Sequence, residues 1–224
     1  MGNNKEEKIK IIACRTIKQE VEAVRFPGYE VEYIESGYHR YPDKLKNLLQ
    51  AYLEQETEAD KVVLGYGLCS NGVAGLVSRD KTLIIPRVHD CIGLLLGSRE
   101  KYEQEFKADP GTYYLSRGWI EELREPYAEY LEYLEKFGEE LAIWSIEMQY
   151  KNYSRLVFIY TREKDLKKYQ DYAKKVAEFL NVKFEIIKGE TKFFDKLISG
   201  QWEDDPENFL IVPPGKTVKS SDFL

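Results

Sequence analysis

Leu83-Ile84-Ile85-Pro86-Arg87-Val88-His89-Asp90-Cys91-Ile92-Gly93-Leu94-Leu95-Leu96-Gly97 reads as a short apolar strand, a polar knot and the start of a helix. In an open α/β sheet the carboxyl end of a strand, where the chain turns into a helix, is where ligands bind. Arg87, His89, Asp90 and Cys91 are therefore candidate site residues. Similar residues recur at the same level elsewhere: Cys14 follows the apolar run 9–13, His39 lies past 31–34, and Cys69 follows 62–68.

Working outward, the chain opens with a strand at 8–13 and a helix at 16–25, where Ile17, Val21 and Val24 keep helical spacing. Phe26-Pro27-Gly28 breaks that helix, and 30–35 alternates as a second strand. A turn through Tyr38-His39-Arg40 leads to a helix capped by Asp43 and running to Gln55. The third strand, 61–64, is a near-continuous apolar run, as expected of a strand covered on both faces. It exits through Gly65-Tyr66-Gly67-Leu68-Cys69-Ser70-Asn71-Gly72, with a further helix expected from Asn71. The glycine spacing is not the dinucleotide fingerprint, so a turn built around Cys69 is the better reading.

After the fourth strand a helix is expected over 92–106, a fifth strand over 112–115, and a helical region over 121–152. The tyrosines of that region read as core or interface filler. Strands at 155–160, 183–187 and 208–212 alternate with helices at 165–180 and 191–200, which predicts a parallel sheet. The expected architecture is α/β: two Rossmann-like lobes with parallel sheets in three α/β/α layers. Their expected bounds are 1–120 and 153–224, with a long helical connection over 121–152 between them. Pro213-Pro214-Gly215-Lys216-Thr217 lacks the first glycine of a P-loop and reads as a terminal turn.

The chain has 224 residues, of which 43% are hydrophobic, enough for a sizeable core. A net charge of -6 argues against nucleic acid as a partner, which calls for a basic face. No apolar run approaches the ~20 residues of a membrane span, and the polar start resembles neither a signal nor a transit peptide. A soluble, cytoplasmic protein is expected.

The sequence contains only three Cys and two His, and all five fall at the exits of the first four expected strands. Windows of about seven residues at each exit cover roughly an eighth of the chain. In a parallel sheet those exits share one edge, so Cys14, Cys69 and Cys91 can converge on one ion. Three thiolates with His89 or His39 would close a zinc site, and three with an open place leave a Lewis-acid position. Three cysteines also suit an iron-sulfur cluster with one iron free for substrate. His89, Asp90 and Arg87 are the candidate catalytic groups. Arg117, Tyr66, Asn71 and Arg99 are the candidate substrate contacts, the arginines offering a fork to a carboxylate or phosphate.

Four stretches, Tyr66–Gly72, Pro86–Ile92, Gly97–Glu100 and Pro110–Trp119, resemble an uncharacterised family catalogued as domain of unknown function 1638. Its members occur in anaerobic bacteria and methanogenic archaea, often encoded near corrinoid-dependent methyltransferases. The resemblance implies a role in one-carbon metabolism, with a corrinoid protein or methyltransferase as a partner, and supplies no activity or ligand set. Three readings stay open: a metalloenzyme acting on a small anionic or methylated substrate, a metal- or cofactor-binding accessory protein for a methyltransferase, and a metal-free thiol enzyme.

Overall fold

The structure, a computed structural model, describes residues 7–24 and 29–223. The expected helix break at Phe26-Pro27-Gly28 lies outside them. In chain order the elements begin β1 (Ile9–Cys14), α1 (Lys18–Val24), β2 (Glu30–Ile34), α2 (Pro42–Gln55), β3 (Lys61–Gly65) and β4 (Thr82–Pro86). They continue α3 (Cys91–Leu96), α4 (Arg99–Ala108), β5 (Thr112–Ser116), α5 (Arg117–Glu121), α6 (Pro126–Phe137) and α7 (Glu139–Tyr150). The last are β6 (Arg155–Tyr160), α8 (Leu166–Leu180), β7 (Lys183–Lys188), α9 (Lys192–Ser199) and β8 (Phe209–Val212). The chain is α/β, as expected, with helices flanking parallel sheets.

Two compact units form, Met1–Arg99 with Thr191–Leu224, and Glu100–Glu190. The first holds a sheet in the order β2-β1-β3-β4-β8, the second a sheet in the order β5-β6-β7. The bounds 1–120, 121–152 and 153–224 therefore need correction. β5 belongs with the later strands, while α9 and β8 return to the first unit. The helices between 117 and 150 do not connect two lobes; they form the β5-to-β6 crossover inside the second unit.

In the first unit β1 pairs in parallel with both β2 and β3, and β3 pairs with β4. The alternation along these strands dictates two buried faces. Ile12, Cys14, Val62, Leu64, Leu83 and Ile85 pack against Leu45, Leu49 and Leu53 of α2. Ile11, Val63 and Ile84 point the other way and are fully buried, on the side where α9 meets α1 and α3. Burying each such side chain contributes roughly 1.5–3 kcal/mol. β8 runs antiparallel to β4, with Ile84 opposite Ile211. Element alternation alone cannot show this. The free apolar edge of β4 needs cover, and an antiparallel edge strand on a parallel sheet supplies it.

Three local expectations also change. Pro42 occupies the first turn of α2 and no side chain caps it, so Asp43 lies inside the first turn and is not the cap. The single helix expected over 92–106 is two helices, because Gly97 takes φ 91° and accepts the end of α3. The β3-to-β4 crossover contains no helix from Asn71; it is a series of turns that buries Val73 and Leu76. That crossover is held by the chain's last segment. Ser78 Oγ donates to the carbonyl of Pro213 at 2.6 Å, and the Val218 amide donates to the Leu76 carbonyl at 2.9 Å. Residues 213–217 are thus a packed turn, as expected.

In the second unit β6 pairs in parallel with β5 and β7. Leu115, Leu156 and Phe158 bury against Tyr169, Ala173, Val176 and Ala177 of α8. No helix among the described residues is long and apolar enough to cross a membrane.

Candidate functional site

The carboxyl edge of the first sheet is knit together by backbone. Cys14 ends β1. Beyond β3 the amides of Leu68 and Cys69 donate to the carbonyls of Val88 and His89 beyond β4, at 2.9 and 2.7 Å. Gly67 permits this: a Cβ there would sit 2.5 Å from the Val88 carbonyl oxygen and 2.8 Å from the Asp90 amide nitrogen. Cys91 is the first residue of α3, whose N-cap is Asp90, the carboxylate accepting from the Ile92 amide at 2.9 Å.

These exits place the three thiols along one edge of the sheet. Cys14 and Cys91 are buried, Cys69 is half-buried, and none forms a disulfide. Each of Cys69 and Cys91 lies close enough to Cys14 to feel its charge, and Cys91 also feels Cys69. Thr16, in the turn after β1, donates its hydroxyl to Cys14 Sγ at 3.1 Å, and its hydroxyl also eases ionisation of Cys91.

Burial pushes the Cys69 and Cys91 thiols well above the usual range, and the neighbouring Asp90 and thiols push the same way. Burial also raises the Asp90 carboxyl, opposed by the amides of Ile92 and Gly93 and by His89. An unliganded thiol in such surroundings is neutral and a poor nucleophile. Tyr66, one residue past β3, is 3% exposed, and its hydroxyl has no hydrogen-bond partner. Burial and then the charges of Cys14, Cys69 and Cys91 hold its phenol well above the ordinary value.

The loop carrying Cys69 is strained. Cys69, Ser70 and Asn71 take φ of 46°, 55° and 70°, closed by the Gly72 amide donating to the Cys69 carbonyl at 2.9 Å. Left-handed backbone costs an L-residue roughly 1–2 kcal/mol, and strain of this kind gathers at functional sites.

Other expected site residues lie differently. Arg87 donates to the Asp222 carbonyl at 2.7 Å and Arg99 to the Phe223 carbonyl at 2.9 Å. Both anchor the turn Ser220–Phe223, because carbonyls left open at the end of that turn need donors. Each contact uses one terminal nitrogen of its guanidinium, and the Arg87 Nε is buried without a partner. Arg117 sits in the second unit, pairs with Glu121 at 2.9 Å and Asp165 at 3.8 Å, and lies over the Tyr169 ring at 4.8 Å. His39 Nδ1 is 2.5 Å from the Ser36 carbonyl oxygen of its own turn. His89 is exposed, and Asn71 is exposed in the strained turn. Thr16 was missed, although a hydroxyl two residues after Cys14 in a strand-to-helix turn was a readable signal. Among the described residues no group of three or more His, Cys, Asp and Glu stands ready-made for a metal ion, so a shared ion requires the thiols to turn toward one another.

A family model described as "Protein of unknown function (DUF1638)" matches residues 33–198, about three quarters of the chain. The chain belongs to this family. The DUF1638 match takes in His39, Tyr66, Cys69, His89, Asp90 and Cys91, and begins downstream of Cys14 and Thr16. Neither the curated proteins nor the solved structures gave a match.

Proposed function

We propose that Cys14, Cys69 and Cys91 hold zinc or an iron-sulfur cluster, in a cytoplasmic enzyme acting on a small anionic or methylated substrate in anaerobic one-carbon metabolism. The observation that carries the reading is that three strand exits at one sheet edge each carry a thiol, with Cys14 held by the Thr16 hydroxyl. The donor set fits: three soft sulfurs suit zinc or iron and leave a further coordination place. When bound, such a centre would supply Lewis-acid chemistry at that place. Asp90 fixes the start of α3 and with it Cys91, while Thr16 orients the Cys14 sulfur, as partners around a metal's ligands do. The metal-free thiol enzyme is the weaker reading, since the groups facing Cys69 and Cys91 are an acid and other thiols.

One observation favours the accessory reading. Arg87 and Arg99 each give a terminal nitrogen to carbonyls of the last turn of the chain, which commits part of the arginine fork expected of an anion-binding enzyme. A protein that carries a metal or cofactor for a corrinoid methyltransferase needs no such fork. Anaerobic purification with elemental analysis and a visible spectrum tests the shared premise. Iron with sulfide and broad absorption, or one colourless zinc, supports it; protein free of both metals contradicts it. Turnover of methyl donors by the loaded protein separates enzyme from accessory.

A further inference from the structure

The second unit leaves apolar surface open that its own fold does not cover. Among the described residues every exposed large hydrophobic side chain except Tyr41 and Val77 belongs to it, and Leu141, Ile143, Trp144 and Met148 lie on α7 alone. That helix has two apolar faces. Ala142, Ile146 and Tyr150 are buried at four-residue spacing, and Tyr150 ties this face to Glu129 of α6 at 2.8 Å. Leu141, Trp144 and Met148 recur at i, i+3 and i+7 on the opposite side, where Trp144 is 59% exposed. A helix apolar on both sides belongs between two partners, and three adjoining side chains make a patch, not a scatter.

The charges around the patch decide what covers it. Glu140 and Glu147 stand beside Trp144 at i−4 and i+3, and both are exposed. From Pro126 to Lys151 five exposed glutamates face two exposed lysines, Lys136 and Lys151, and Lys136 is already paired with Glu132 at 2.6 Å. A two-fold contact between two copies of this face would press glutamates against glutamates, which disfavours it. An anionic lipid surface repels them as well. We propose that the outward face of α7 docks an amphipathic helix of another protein, its apolar side on Leu141, Trp144 and Met148 and its lysines or arginines beside Glu140 and Glu147. Helix recognition of this kind uses anchors at i, i+3 and i+7, and a central Trp is the residue type that carries most binding energy. The docking face does not depend on what the thiol edge holds.

The test uses the full chain and a fluorescein-labelled synthetic peptide of leucine and lysine, with leucine at the helical anchor spacing and lysine elsewhere. Its counterpart has glutamate in place of lysine. By fluorescence anisotropy the lysine peptide should bind the parent at least about tenfold more tightly than the glutamate peptide. Trp144→Ala should weaken the lysine peptide at least about tenfold and melt with the parent, since the side chain is exposed. Glu140→Lys combined with Glu147→Lys should turn the preference toward the glutamate peptide, a gain that misfolding cannot produce. No binding of the lysine peptide, equal binding of both peptides to the parent, an affinity unchanged in Trp144→Ala, or a preference left unreversed by the double substitution overturns the proposal. A parent that sediments as a dimer which Trp144→Ala dissociates also overturns it, because the occupant is then a second copy. Binding of the parent to phosphatidylserine vesicles that Trp144→Ala abolishes overturns it too, because the occupant is then a membrane.

Discussion

The carboxylate networks of the second unit and the carboxyl edge of the first unit's sheet treat their buried polar groups in opposite ways. In the second unit Glu125, fully buried, accepts from the amides of Tyr127 and Ala128 and from the Tyr172 hydroxyl at 2.7–2.8 Å. Glu129 accepts from the Tyr150 hydroxyl at 2.8 Å and from Gln149 at 2.9 Å. Arg155 reaches Thr112, Glu105 and Glu185. Glu125, Glu129 and Arg155 thus find their partners within their own unit, whereas Ser116 Oγ of the same unit is buried without one. The first unit's carboxyl edge instead gathers three thiols, an unpartnered phenol and a strained loop. A saturated network specifies and stabilises a fold, while an unsaturated one leaves valence for something else.

Several substitutions would break or sharpen that contrast. The largest effect on stability is expected at Glu125: Glu125→Ala removes a helix cap and strands the Tyr172 hydroxyl, costing about 2–4 kcal/mol in denaturant unfolding. A loss below about 1 kcal/mol would show that the second unit's network is not holding it. Cys69→Ser and Cys91→Ser should each cost only about 1 kcal/mol of metal-free stability while cutting metal content at least about tenfold.

A titration separates the unit's structural charges from its thiol edge. Glu56 is held at about 2. Burial works to raise it and is outweighed by the Lys10 ammonium at 2.9 Å and by the amides of Glu58 and Ala59 at 2.7 and 3.0 Å. Its folded value is below its unfolded one, so its stabilisation is present above about pH 4.5 and lost as pH falls toward 2. Glu56→Gln should lower stability at pH 7 by about 1–3 kcal/mol and converge with the parent near pH 2. A constant gap across that window would contradict the assignment. The smallest effect is at Ser70: with φ 55°, Ser70→Gly should raise metal-free stability by up to about 1 kcal/mol. No gain would mean the loop carries no strain.

Much of this was legible in the sequence. Apolar runs such as 62–64 and 83–85 placed the strands because both faces of the sheet are covered, and that placement put Cys14, Cys69 and Cys91 at one edge. What the sequence concealed is long-range. Nothing local tells Phe209–Val212 to cover β4 from the opposite direction, or tells Arg87 and Arg99 that carbonyls of the chain's last turn will claim them. Gly97 looked like part of a helix, yet its positive φ ends one. The unmet hydroxyl of Tyr66 is likewise invisible until its neighbours are known to be sulfur.

X-ray absorption fine structure at the metal edge of anaerobically purified protein tests the central claim most directly. The account predicts three sulfur neighbours at ~2.3 Å for zinc, or a sulfur shell with iron–iron scattering for a cluster, each diminished in Cys14→Ser, Cys69→Ser and Cys91→Ser. A metal surrounded by oxygen and nitrogen alone, or a sulfur shell unchanged by all three substitutions, would contradict it.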